Sequence, residues 1–247
     1  NIGIIYEDQL DYPMALEYYT RSYNMKLEID DKEGLANSLN NLGVVSLQMG
    51  NFELAIDYHF QSLKIEQELG NEKGVAMSLN NLGGAYKKFR MYDQAIAYYL
   101  ESLEIQLELD DKFGLASTYY GLGNIYEIKE DYDQAIIFNE KALALGREIG
   151  AHLWISNASK SLYHCYKAKG NSALALQMYE EYNGAQEIIE SEANQKEIIR
   201  QEYKYEYELK ANQDSIRSAE ETRVQQAELS VEQARSESRK QQSYFLF

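Results

Sequence analysis

Residues 35–45 read Leu35-Ala36-Asn37-Ser38-Leu39-Asn40-Asn41-Leu42-Gly43-Val44-Val45, and the Asn-Asn-Leu-Gly inside that stretch returns at 80–83. Apolar residues recurring three and four apart mark one face of a helix. Gly3, Gly43, Gly83 and Gly123 stand 40 residues apart. Ala15, Ala55, Ala95, Ala135 and Ala175 keep the same spacing, each followed by Leu or Ile (Leu16, Ile56, Ile96, Ile136, Leu176). A period held this long without slippage marks a stacked architecture, in which each unit buries its apolar face on its neighbours.

Each unit reads as two helices. The first is the stretch quoted above; a turn follows at Met49-Gly50-Asn51, and the second helix starts near Phe52. Asp11, Asn51, Asp131 and Asn171 occupy the position before the second helix, where a short polar side chain caps free N–H groups. Pro13, the single proline, falls in the first turn of that helix, the one place a helix tolerates it. The recurrent glycine and alanine are expected to let two helix axes approach closely, with Gly83 and Ala95 where the helices nearly touch. One proline and 15 glycines in 247 residues leave an all-β fold short of turns, while 45% hydrophobic residues give stacked helices a core. Five helix pairs, the first incomplete, are expected over residues 1–182.

With Leu42-Gly43, Ala55 and their equivalents, and Tyr86, Tyr126 and Tyr166 three residues past the glycine position, the unit resembles the tetratricopeptide (TPR) repeat. The 40-residue spacing and the Asn-Asn-Leu-Gly at 40–43 and 80–83 are similar to the extended-repeat branch of that family, as in kinesin light chains. Three positions depart from the pattern: Ser46 replaces the tyrosine, Tyr163 the glycine of the last unit, and Trp154 the Gly34, Gly74, Gly114 series. Such changes suit the end of a solenoid. The resemblance implies an all-α, TPR-type solenoid that acts as a protein–protein interaction scaffold, holding a peptide or partner protein in a concave groove lined by first helices.

In register with the family's first-helix positions, the resemblance places Asn37, Asn40, Val44 and Leu47 on the groove side, then Met77, Asn80, Lys87 and Lys88. Ser117, Tyr120, Asn124 and Glu127 follow, then Asn157, Lys160, His164 and Lys167. Peptide contact is expected of Asn40, Asn80, Lys87, Lys88, Tyr120, Asn124, Lys160, His164 and Lys167. Asparagine is a poor helix former, so Asn40 and Asn80 in mid-helix call for a reason. An amide that clamps a peptide backbone is one reason; a hydrogen bond between adjacent repeats is the other, and is favoured for Asn41 and Asn81. Lys87, Lys88, Lys160 and Lys167 would form a positive strip in a chain of net charge −16. That suits an acidic or C-terminal-carboxylate ligand, unless the lysines only lay their stems along helix ends.

The net charge and a pI near 4.7 argue against a nucleic-acid partner. Cys165, the only cysteine, falls in register with Val45, Ala85 and Ile125, so a buried small hydrophobe is expected, not a nucleophile. His59, His152 and His164 are isolated, with no H-E-x-x-H spacing, and neither metal nor cofactor is expected. Gly121-Leu122-Gly123 lacks the third glycine and the preceding strand of a nucleotide loop. Asp30-Asp31 and Asp110-Asp111 lie at repeat junctions and read as solvated connectors. With no general acid–base pair evident, the chain is not expected to be an enzyme.

Beyond about residue 183 the period is lost. Residues 185–243 hold no glycine or proline and are rich in Glu, Gln, Lys, Ala, Ser and Arg, which predicts a long charged helix over 183–243. Leu209 and Ile216, then Val224 and Val231 with Ala227 and Ala234, make imperfect heptads. A coiled-coil stalk forming a weak homodimer is one expectation there; a solvated single helix or disorder is the other. Tyr244-Phe245-Leu246-Phe247 reads as the start of a membrane span cut short. No signal peptide and no run of 18 apolar residues is present, and the sequence is read as a piece of a longer chain, cytoplasmic or membrane-tethered. Solenoid, stalk and apolar end together resemble the sensory region of bacterial TPR-containing membrane signalling proteins. That resemblance implies the alternative function: the input module of a histidine kinase, cyclase or transcription regulator whose output domain lies beyond residue 247.

Overall fold

A computed structural model describes residues 2–201 together with 205 and 213. The helices are α1 (Ile2–Asp8), α2 (Tyr12–Glu28), α3 (Lys32–Gln48), α4 (Phe52–Leu69), α5 (Glu72–Lys88), α6 (Tyr92–Glu108), α7 (Lys112–Ile128), α8 (Tyr132–Glu148) and α9 (His152–Ala168). Residues 172–189 are also helical and complete the compact unit Asn1–Ile189. In the second unit, Glu190–Phe247, residues 190–201 are helical and exposed. The heptad positions from Leu209 to Ala234 and the apolar end at 244–247 lie outside the described residues.

Within the first unit every helix packs on the next, and α3 also touches α5, α5 touches α7, and α7 touches α9. The odd-numbered first helices therefore form one layer of an α-solenoid and the even-numbered second helices the other. First helices α3, α5, α7 and α9 begin at Lys32, Glu72, Lys112 and His152, and so repeat every 40 residues. Asp11, Asp131 and Asn171 cap second helices by accepting from Met14, Gln134 and Leu174 N–H, each at 3.2 Å. Asn51 holds the cap position without that bond. The first helices are capped in the same way: Asp31, Asn71 and Asp111 accept from Gly34, Gly74 and Gly114 N–H at 2.9, 3.2 and 3.1 Å. Asp31 and Asp111 are thus helix caps and not merely solvated connectors.

Helix ends follow a shorter period that the sequence hides. Leu10, Asp30, Gly50, Gly70, Arg90, Asp110, Glu130, Gly150 and Gly170 all have φ between 49° and 80°, one every 20 residues. Each reverses the chain in the left-handed conformation, and the next N–H returns to a carbonyl five residues back, as in Asn51 to Ser46 and Met91 to Tyr86, both 2.9 Å.

The repeated glycine has a different purpose from the expected helix–helix contact. A Cβ on Gly83 would stand 2.7–2.8 Å from the Tyr99 ring, and one on Gly3 2.5–3.0 Å from that of Tyr19. On Gly43 it would collide with the His59 ring, and on Gly123 with the Asn139 amide. Each glycine therefore receives the side chain 16 residues later. Ala95 shares its buried cluster with Tyr99 and with Leu122 and Ile125 of the following first helix, so Gly83 and Ala95 serve two separate contacts. The last unit confirms the rule by its exception. Tyr163 occupies the glycine position, and its partner Tyr179 is left 44% exposed, the two rings 5.4 Å apart.

Candidate peptide-binding groove

Because α3, α5 and α7 lie side by side, their outer faces border a shared depression of about 650 Å³. Asn37, Lys73, Met77, Phe113 and Ser117 line it, with Glu33, Glu66 and Asp111 at its N-terminal edge. Met77 and Phe113 are large apolar side chains left 42% and 60% exposed. The Phe113 ring meets Trp154 edge-on at 5.8 Å, and Tyr120 lies 6.1 Å from the same indole. Sequence reasoning missed Glu33, Lys73 and Phe113. They sit one turn before Asn37, Met77 and Ser117, so extending the register by four residues would have found them.

Asn40 does not face this groove. It is only 4% exposed, its Nδ2 donates to Ser78 Oγ at 3.2 Å, and its Oδ1 pairs with His59 Nδ1 at 3.1 Å. Asn81 Nδ2 donates to the same Oδ1 at 3.3 Å. The expectation of an exposed Asn40 is therefore corrected: a mid-helix amide here links adjacent repeats, because a buried polar group needs its partners inside the protein. Asn80, in contrast, lines the groove; it is half-buried, donates to Thr118 Oγ1 at 2.5 Å and accepts from Ser117 Oγ at 3.4 Å. Serines complete this polar ladder between the layers. Ser62 Oγ donates to Ala36 O at 2.9 Å, and Ser102 Oγ to Ala76 O at 2.7 Å. His59 is enclosed on all sides, and burial pulls its imidazole down to about 4.

The remaining expected residues fall into two groups. Lys87 and Tyr120 come together at the α5–α7 seam, the ammonium 5.6 Å from the ring centroid, with Asn124 one turn further along α7. Burial, aided by the charge of Lys88, pulls the Lys87 amine down to about 8. Lys88 itself is exposed. The second group lies on α9: Lys160 over the Tyr182 ring at 5.7 Å, and Lys167 over Tyr163 at 5.4 Å. His164 Nδ1 pairs with Glu127 Oε1 at 3.0 Å, and Ser161 donates to the other oxygen of that carboxylate. Glu127 thus interrupts the expected positive strip between α5 and α9.

Cys165 is fully buried, and burial pushes its thiol up to about 12, which leaves it with little thiolate to react. Among the described residues no cluster of His, Cys, Asp and Glu could hold a metal ion, and no helix is long and apolar enough to cross a membrane.

None of the curated proteins is significantly similar in sequence. The solved structure of BtubC from P. vanneervenii is similar at 25% identity and a TM-score of 0.64, over 76% of this chain and 78% of that one. A Rap protein complexed with Competence and Sporulation Factor is similar in fold, at 19% identity and a TM-score of 0.68, over 74% of this chain and 51% of that one. The kinesin light chain TPR-like repeats from Podosopora anserina match at 17% identity and a TM-score of 0.57, over 75% and 92% of the two chains. The tetratricopeptide repeat model itself matches residues 1–68, 34–108 and 114–182, and with the 40-residue stack of helix pairs this places the chain in the tetratricopeptide repeat family.

Proposed function

We propose that the chain is a protein–protein interaction scaffold that holds an extended segment of a partner along the outer face of α3, α5 and α7. The observation that carries this reading is the groove of about 650 Å³ with Met77 and Phe113 exposed above it. The buried ladder beneath already joins the repeats, and although Phe113 meets the Trp154 ring at its edge, both it and Met77 keep much of their surface open. Concave, partly apolar surfaces with a few polar groups are where ligands bind. That a Rap protein of this fold was solved with Competence and Sporulation Factor bound supports the same reading. Asn37, Ser117, Lys87, Tyr120 and Asn124 border the path, and Lys160, His164 and Lys167 would extend it across α9.

Selection from a random peptide library tests the proposal. Phe113→Ala and Met77→Ala should each weaken the selected peptides by about tenfold, a loss of ~1.4 kcal/mol, with an unchanged melting temperature. Binders indifferent to both substitutions would place the site elsewhere.

A further inference from the structure

The charges that line the groove do not balance. Glu33, Glu66 and Asp111 border it against one ammonium, that of Lys73. Three lysines that start from the same helix ends are engaged elsewhere: Lys26 with Asp31 at 2.5 Å, Lys32 with Glu68 at 3.6 Å and Lys112 with Glu148 at 2.6 Å. Lys26, Glu66 and Gln106 occupy equivalent places 40 residues apart, near the ends of α2, α4 and α6. In the first unit that place holds a cation, Lys26, which answers Asp31. In the next it holds a carboxylate, Glu66, which has no cation partner among the described residues.

Glu66 is only 1% exposed, yet it lines the depression. Gly74 of α5 makes room for it, since a Cβ on Gly74 would collide with the carboxylate. Asn71 Nδ2 donates to Oε2 at 2.8 Å, and Oε1 accepts no hydrogen bond among the described residues. Burial raises the carboxyl above its usual value; the Asn71 hydrogen bond opposes that rise and the charge of Glu33 adds to it. Glu33 is exposed and also has no cation partner among the described residues. One repeat along, Gln106 is 2% exposed and lines the same depression; its Oε1 accepts from Thr118 at 2.8 Å, and its Nε2 has no acceptor among them. A carboxylate buried without a cation is destabilising, and a positive group brought to its unbonded oxygen offsets that.

We infer that this end of the depression is a subsite for a basic side chain, and that the bound segment carries a Lys or Arg whose charge lies over Gly74, between Glu33 and Glu66. This rests on the groove being the binding surface, and it adds what one position of the ligand must be. It also reverses the sequence-based expectation of an acidic ligand, because the groups that line the space are mostly negative. Lys73 is exposed and pairs with neither carboxylate, so its ammonium gives way to the incoming one. Met77 and Phe113 border the same depression. An extended chain covers ~3.3 Å per residue, so the basic residue should lie within about four residues of the apolar one that covers them.

The test is an array of N-acetylated, C-amidated random peptides, probed with the whole chain and with Glu66→Gln, Glu33→Gln and Glu104→Gln. The unaltered chain should enrich Lys or Arg at one position close to an apolar residue. Replacing that residue by a neutral isostere, norleucine or citrulline, should weaken binding about tenfold to a hundredfold, as expected for charge-assisted hydrogen bonds. Glu66→Gln should shrink this charged-over-neutral preference several-fold while leaving the neutral peptides bound as before. Glu33→Gln should shrink it less, because that carboxylate stands in water. Glu66→Gln keeps an acceptor for Asn71 and should melt no lower than the parent. Should it fail to fold, Glu33→Gln decides alone, and an unchanged preference there overturns the subsite. Glu104 is an exposed acid of α6 outside the depression, and Glu104→Gln should change nothing. Peptide binding without a basic preference, or a preference that survives both groove substitutions, would overturn the subsite and leave the groove standing. An equal loss with Glu104→Gln would show only attraction to the acidic chain as a whole and overturn it as well. Binding of no peptide at all would overturn the groove reading and this one with it.

Discussion

Gly83 and Gly84 are neighbours in one helix, and alanine should change stability in opposite directions at the two. At Gly83 the added Cβ would stand 2.7–2.8 Å from three Tyr99 ring carbons, against ~3.5–4.0 Å for an ordinary carbon contact. The ring would have to retreat by about 1 Å, yet Gly121 presses on its far end, where a Cβ would lie 2.6–2.9 Å away. Overpacking of this kind costs ~1–3 kcal/mol, offset by the ~0.8–1 kcal/mol that alanine gains over glycine in a helix. Gly83→Ala should therefore destabilise by up to about 2 kcal/mol, and by about 1 kcal/mol at the middle of the two ranges. At Gly84 the Cβ meets only the Tyr99 hydroxyl at 3.6 Å, so the propensity gain stands alone and Gly84→Ala should stabilise by ~0.5–1 kcal/mol. Urea unfolding followed by circular dichroism reads both. In a Tyr99→Leu background the cost of Gly83→Ala should disappear or reverse, because the obstructing ring is gone. Equal effects at the two glycines, or a Gly83 cost that persists without Tyr99, would refute the glycine-and-ring pairing.

Asn40→Ala should destabilise by ~2–3 kcal/mol, because it strips buried partners from Ser78, His59 and Asn81; an unchanged urea midpoint would show the ladder to be dispensable. His59 makes stability depend on pH. Above its ordinary value of 6.5 it is neutral in both states and contributes no pH dependence, but from 6.5 down to about 4 only the unfolded chain takes up the proton. Stability should therefore fall by up to ~1.4 kcal/mol per pH unit across that window, and the difference should vanish in His59→Tyr, which installs the residue found at Tyr19 and Tyr99; parallel pH profiles would contradict it. Glu130 closes α7 with φ at 60°, so Glu130→Gly should raise the unfolding midpoint, by about 1 kcal/mol in stability, and a loss would mean its side chain matters more than its backbone.

The fold was legible because the repeated positions are the ones that packing constrains most. Gly43, Gly83 and Gly123, with Ala55, Ala95 and Ala135, are small for steric reasons that recur in these three units, so the 40-residue period survives in the letters. The 20-residue turn period was not legible, since any residue can hold one left-handed position at modest cost and five of nine are not glycine. The site was legible only in part. Register put Asn80 on the groove that it lines, but it put Asn40 there too, because it cannot show that Ser78 of the next unit stands within hydrogen-bond reach of Asn40. Lys87 and Tyr120 were found from register as well, and they meet because adjacent first helices bring positions 33 residues apart together. Tyr99 gave no signal, because its ring is enclosed by Gly83 and Gly121 of two different repeats.

Site-specific photocrosslinking would show whether a partner segment lies along the outer face of α3, α5 and α7. A benzophenone side chain would be placed at Asn37 or Phe113 in the groove, and at Leu100 of α6 as the control, which is also exposed, at 47%. With a library-selected peptide, crosslinks should form from Asn37 and Phe113 and not from Leu100. Crosslinks from Leu100, with none from the two groove positions, would contradict the account.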